Sequence, residues 1–321
     1  MNARSNSVLE QRWNANVPLS SQVLRQWSAP GIVLAVTDFA AEEILLFHAI
    51  QQARRSTAKV LLVHVLQPET APPHIGEWIH PSRHQNLAET ALAALSRMAR
   101  QLRWVGVPCE PLLLRGSPAK EIALVAEARN ADRILMTAAC EKRRKNTAST
   151  TLTEDLLPGI LAPICTVGQW LPTAPVVGHR PANITLALSL DTDAEMPLAF
   201  ASRLAQEHQA KLTVLHVFSS EEKGLKEVER TPLAVASQLP ADRLREAELM
   251  CPLEIAVRKG DPATEILKAE SRSNQDFIVL GPVGEAQPLR VGTSNIAHRV
   301  ISEALCPVIV LGRRLGHSAM G

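Results

Sequence analysis

The chain contains the same stretch of fold twice. Ala58–Val65 reads Ala-Lys-Val-Leu-Leu-Val-His-Val and returns at Ala210–Val217 as Ala-Lys-Leu-Thr-Val-Leu-His-Val. Arg115–Ile122, Arg-Gly-Ser-Pro-Ala-Lys-Glu-Ile, returns at Lys259–Ile266 as Lys-Gly-Asp-Pro-Ala-Thr-Glu-Ile, and Asn130–Leu135 returns at Asn274–Val279. The first pair is offset by 152 residues and the other two by 144, so one connection is eight residues longer in the first copy. A repeat of about 145 residues is far above the ~20–50 residues of stacked repeat units, which bury their faces only against neighbours. Each copy can hold its own core, and 321 residues accommodate two such domains.

Bulk properties narrow the class. A chain 46% hydrophobic and 21% charged is globular, and a net charge of +2 gives no general pull toward nucleic acid or membrane. With no tyrosine and 3% aromatic residues, a base-stacking surface is not expected. The opening Met-Asn-Ala-Arg-Ser-Asn-Ser lacks the apolar run of a signal peptide, and no stretch approaches the ~20 apolar residues of a membrane span. A cytoplasmic location is the expectation. Five cysteines (Cys109, Cys140, Cys165, Cys251, Cys306) form no CxxC pair, which fits reduced thiols better than disulfides or zinc.

Strand and helix signals alternate. Ile32–Val36 predicts a buried strand, Ala41–Arg55 a helix, and Val60–Leu66 the next strand. A helix is predicted from about Leu87 to Leu102, then strands at Glu110–Leu114, Asp132–Met136 and Pro163–Val167. Ser117-Pro118 and Asp261-Pro262 open helices, the first residue as N-cap and proline at the first helical position. Strands that are near-continuous apolar runs, interleaved with helices, predict parallel sheets covered on both faces. Proline-punctuated Gln169–Ala182 reads as a linker, and residues 1–30 as an N-terminal arm that packs back through Trp13 and Trp27 or stays disordered.

From about Gly31 to Arg313 the chain resembles the universal stress protein family in its tandem two-domain form. The resemblance rests on His64-Val65 and His216-Val217 at strand ends, on the Gly-x-Pro-Ala-x-Glu-Ile helix starts, on Asp276–Gly284, and on Ala297–Val310. It implies two open five-stranded parallel sheets, Rossmann-like and similar to adenine nucleotide alpha hydrolases, forming an intrachain pseudo-dimer. The implied layout is an arm at 1–30, domain one at 31–170, a linker at 171–182, domain two at 183–313 and a tail at 314–321. In such a pair the apolar last strands, Pro163–Val167 and Pro307–Leu311, would close each other's edge in antiparallel fashion.

Relatives that bind ATP are similar in carrying Gly-x2-Gly-x9-Gly-[Ser/Thr] after the fourth strand, where glycines let backbone N–H groups approach phosphate at a helix N-terminus. The second copy keeps Gly281 and Gly284 but has Ser294 and Asn295 where the third glycine and its hydroxyl partner would fall; Gly292-Thr293 stands two residues early. The resemblance implies Ser189 and Asp191 on the nucleoside, Val217 on adenine, and Leu280, Gly281, Gly284, Thr293, Ser294 and Asn295 around the phosphates. In the first copy the corresponding loop positions hold Thr137, Cys140 and Thr150, although Asp38 and Val65 remain, so that copy reads as degenerate.

Other features have plainer readings. Lys142–Lys145 stands near the first copy's loop and reads as a solvated charge run rather than an anion site. His74, His80 and His84 match no zinc spacing. His64 and His216 suggest a shared structural role, and Cys140 and Cys165 read as unreactive thiols. No P-loop, dinucleotide fingerprint or nucleophile elbow occurs. The expectation is a non-enzymatic stress-response regulator binding ATP with magnesium in its second half, with an unknown protein partner and homodimerisation left open. The alternative is a nucleotide-free interaction module.

Overall fold

The computed structural model describes residues 31–37, 39–67, 81–138, 152–156, 160, 162–168, 183–190, 194–218, 231–273, 277–281 and 296–312, with backbone alone for 81–85, 154 and 270–273. The arm at 1–30, the linker at 171–182, the tail at 314–321, Lys142–Lys145, His74 and His80 lie outside these residues, as does the side chain of His84.

The first half runs β1 (Gly31–Ala35), α1 (Glu42–Ser56), β2 (Lys59–Leu66), α2 (Pro81–Trp104), β3 (Cys109–Arg115), α3 (Pro118–Ala128), β4 (Arg133–Thr137), α4 (Leu152–Leu156) and β5 (Ile164–Val167). The second runs β6 (Asn183–Ala187), α5 (Glu195–His208), β7 (Lys211–Phe218), α6 (Pro232–Gln238), α7 (Ala241–Met250), β8 (Leu253–Lys259), α8 (Pro262–Ser273), β9 (Phe277–Leu280), α9 (Ile296–Glu303) and β10 (Val308–Val310). All strands among the described residues join one ten-stranded sheet in the order β3-β2-β1-β4-β5-β10-β9-β6-β7-β8. Within each half every pairing is parallel.

The two halves meet through β5 and β10, antiparallel, with Ile309 opposite Cys165. The Thr166 hydroxyl donates to the Val308 carbonyl at 3.1 Å. Each last strand thereby removes the other's open edge, as the sequence predicts. β1, β4, β5, β9 and β10 are buried at every position, the pattern of strands covered on both faces. One apolar layer, including Leu45, Leu95, Leu198 and Leu204, runs across both halves; Ile122, Ile266 and Val300 belong to the layer on the opposite face.

One local device recurs. Gly116 (φ +143°) and Gly260 (φ +153°) precede α3 and α8 in a backbone region that suits glycine. The Glu121 and Glu265 side chains fold back over them, and a Cβ at Gly116 would lie 2.8 Å from Glu121 Oε1. The expected N-caps divide. Asp261 accepts from the Thr264 N–H at 3.0 Å and from the Arg299 guanidinium at 2.8 Å, whereas Ser117 makes no capping hydrogen bond. The Thr264 contacts, with Arg299 added, hold the Asp261 carboxyl below its ordinary range. Position 120 offers Lys120 where the second half has Thr264, so the capping arrangement around Asp261 has no full counterpart.

The halves also differ on one helix. α2 is continuous, but its counterpart is split into α6 and α7 by Leu239-Pro240. Leu239 is extended (φ −83°, ψ 152°), as a residue before proline tends to be, and proline then starts the next turn without needing its missing N–H.

Candidate functional site

In each half the chain leaves the central strand in opposite directions: β1 is flanked by β2 and β4, and β6 by β7 and β9. Helices after the two flanking connections lie on opposite faces, which leaves a crevice beyond the carboxyl ends of the central pair. Ligands of open α/β sheets bind at that switch point.

The floor is built alike in both halves. Past β1, Val36 donates its N–H to the Val63 carbonyl at 2.8 Å, and past β6 Leu188 donates to Leu215 at 3.0 Å. His64 Nδ1 lies 2.6 Å from the Val36 carbonyl, and His216 Nδ1 lies 2.9 Å from that of Leu188. A carbonyl only accepts, so in both rings Nδ1 carries the proton. The recurring histidine therefore pins the end of the central strand to its neighbour. An aromatic ring supports each, Phe39 at 4.8 Å from His64 and Phe218 at 4.5 Å from His216, supplied from different places in the chain.

The mouths differ. In the first half the Thr37 and Thr137 hydroxyls lie 3.2 Å apart, bridging the ends of β1 and β4. The parallel registers of the two halves make Ser189 the counterpart of Thr37 and Gly281 that of Thr137. Gly281 has no side chain, so no such bridge can form there. Its N–H is engaged by the Ala187 carbonyl at 3.1 Å. That bond leaves the Gly281 N–H engaged within the sheet, and the residue differs from Thr137 by the missing side chain. A Cβ there would meet Leu188 Cδ2 at 3.0 Å; the residue of the first half that corresponds to Leu188 is the smaller Val36.

Of the residues singled out by sequence, Ser189, Val217, Leu280 and Gly281 are described. Ser189 is exposed at the mouth. Val217 is half-buried beside the same apolar layer that contains Leu280, itself a core residue at 5% exposure. Asp191, Gly284, Thr293, Ser294 and Asn295 lie outside the described residues, as do Asp38, Cys140 and Thr150. Cys165 is fully buried, and burial pushes its thiol up to about 11, in keeping with an inert core cysteine. Sequence reasoning missed Arg299, whose side chain ties α9 to the start of α8 through Asp261 and the Thr264 hydroxyl. It also missed Thr37, which gains meaning only once β1 and β4 are known to be neighbours. Among the described residues no cluster of three or more histidine, cysteine or carboxylate side chains could hold a metal ion. No described helix is long and apolar enough to cross a membrane.

Two doubly wound halves, fused by their last strands, define a tandem α/β protein. A family model described as the Universal stress protein family matches residues 31–146 and again 182–312. The chain belongs to that family. A universal stress protein of Methanocaldococcus jannaschii is 38% identical over 53 residues, 16% of this chain and 31% of the archaeal one. In fold the chain is similar to a universal stress protein from Archaeoglobus fulgidus at 16% identity and TM-score 0.67, covering 90% of this chain and 100% of that one. It is also similar to a protein of unknown function from Pseudomonas aeruginosa PAO1, at 18% identity and TM-score 0.57, covering 89% and 93%.

Proposed function

We propose that this stress-response protein binds one adenine nucleotide, ATP with magnesium, in its second half and uses it as a regulatory ligand without significant turnover. The observation that carries this reading is the contrast at the switch point: Thr137 bridged to Thr37 in one half, Gly281 and no bridge in the other. In this reading Ser189 and Asp191 meet the nucleoside and Val217 packs on adenine, with Leu280 behind it. Gly281 leaves room for the chain to turn under the phosphates, and Gly284, Thr293, Ser294 and Asn295 surround them. Donors to phosphate would come from beyond Gly281, since its own N–H is occupied. The domain limits 31–170 and 183–313 and a cytoplasmic site of action belong to the same proposal.

Titration calorimetry of the full chain with ATP and magnesium tests it. The expected stoichiometry is near one, with Gly284→Val abolishing the heat and Cys140→Val leaving it unchanged. Two sites of comparable affinity would overturn the asymmetry. Absence of binding at millimolar ATP would favour a nucleotide-free interaction module, with Ser294 in place of a third glycine as the cause.

A further inference from the structure

Among the described residues the ten-stranded sheet ends at β3 on one side and β8 on the other, and the two ends are not alike. Leu212 donates to the Pro252 carbonyl and Gly260 to that of Phe218, so even-numbered residues of β8 face β7. In a parallel ladder alternate residues turn both backbone groups the same way, which points those of Leu253, Ile255, Val257 and Lys259 outward. In β3 the matching bonds, Val60 to Pro108 and Gly116 to Leu66, place Pro111 in the outward set. Proline there removes a donor and fills the approach with its ring, a common protection of an edge strand. The residue at that position in β8 is Ile255, and β8 contains no proline.

We infer that β8 is a pairing edge for β8 of a second copy of this chain, antiparallel about a two-fold axis through Ala256. That register sets Ile255 opposite Val257 and Leu253 opposite Lys259, and all four belong to the outward set, so each such pair exchanges two backbone hydrogen bonds. It also sets Glu254 opposite Arg258 twice. Glu254 is exposed and paired with Lys211 of its own chain, and Arg258 uses one guanidinium nitrogen on the Glu265 carbonyl at 2.8 Å. The carboxylate would then lie between two cations. Registers shifted by two residues keep the backbone match but lose this charge match, so the sequence of β8 selects one arrangement. Pro111 disfavours the heterologous β3-to-β8 contact, which would propagate into open filaments; the β8 pair closes on itself.

Sedimentation velocity of the full chain tests this. The wild type should sediment as a dimer of the 34.9 kDa chain, and Ile255→Pro, which gives β8 the residue type of β3 without losing a bond to β7, should return it to single-chain mass. Glu254→Arg should weaken the dimer about tenfold through paired like charges, and Arg258→Glu in the same chain should restore it. Ala256→Cys should cross-link on mild oxidation, because directly opposed residues of a non-hydrogen-bonded pair come within disulfide reach, while the wild type treated alike does not. A wild type of single-chain mass at its highest soluble concentration overturns the inference. So does a dimer that survives Ile255→Pro and does not cross-link through Ala256→Cys.

Discussion

The hydroxyls of Thr37 and Thr137 lie 3.2 Å apart across the ends of β1 and β4. Their counterparts, Ser189 and Gly281, cannot repeat that contact, and Leu188 has grown into the space a side chain at 281 would take.

Gly281→Thr should therefore destabilise the protein by about 1–3 kcal/mol through overpacking against Leu188. Adding Leu188→Val, which copies the first half, should recover most of that loss in chemical denaturation. The double variant should still fail to bind ATP, because the introduced hydroxyl faces Ser189 as Thr137 faces Thr37. Full affinity in the double variant would separate the glycine from the binding function.

Nucleotide incubated with the protein should remain largely intact over minutes. A turnover of even ~1 per second lies in the ordinary enzyme range and would demand a positioned acid or base near Gly281. Product chromatography decides it.

Arg133 of β4 is 2% exposed and reaches across the domain boundary to Glu207 of α5 at 3.0 Å, with Gln52 Oε1 at 3.5 Å as a second partner. Glu207→Ala leaves a buried guanidinium without its counter-charge and should cost about 3 kcal/mol in urea unfolding. Arg133→Met should cost less, since it removes the charge as well as the pairing.

Two buried histidines set an acid limit on stability. Burial pushes His48 down to about 4, and burial together with the nearby Arg55 and Arg133 pushes His208 down to about 3, from an ordinary 6.5. Both stay neutral in the fold while the unfolded chain takes up protons below 6.5. The unfolded state then binds more protons, so this stability is present above pH 6.5 and is lost as pH falls toward 4 and then 3. The slope is up to about 1.4 kcal/mol per pH unit for each ring. His208→Leu should flatten the lower part of the profile. It should cost little at pH 7, because neither ring nitrogen of His208 has a hydrogen-bond partner among the described residues. Thermal melts from pH 7 to 3 give the readout.

The fold was legible because the repeat, the apolar runs and the Gly-x-Pro starts each report local or face-level chemistry. Val33 and Leu61 announce a buried strand by their neighbours in sequence alone. Ser117 does stand at the N-cap of α3 in extended backbone, but its hydroxyl makes no capping bond, a point that residue type alone does not decide. Leu239-Pro240 is a plain break signal in the sequence, and the helix is split there while the corresponding helix of the first half is continuous. The crevice was harder to read. Thr37 and Thr137 are a hundred residues apart, and only strand order makes them neighbours. Gly281 is a motif glycine in sequence, yet its N–H belongs to the ladder, and no spacing rule tells a donor from a space-maker.

Joining the halves within one polypeptide changes what evolution can do at their boundary. In a pair of identical subunits every substitution appears twice, on both sides of the axis, so a useful change on one side must also be tolerable on the other. Here the mirror position of Arg133 is Phe277 and that of Glu207 is Arg55; the Phe277 ring lies edge-on to His208 at 4.9 Å, and Arg55 donates to the His208 carbonyl at 3.4 Å. One side of the boundary carries an arginine–glutamate ion pair, the other a ring pair beside an arginine. The same release lets one strand end carry a threonine pair while its counterpart holds serine and glycine.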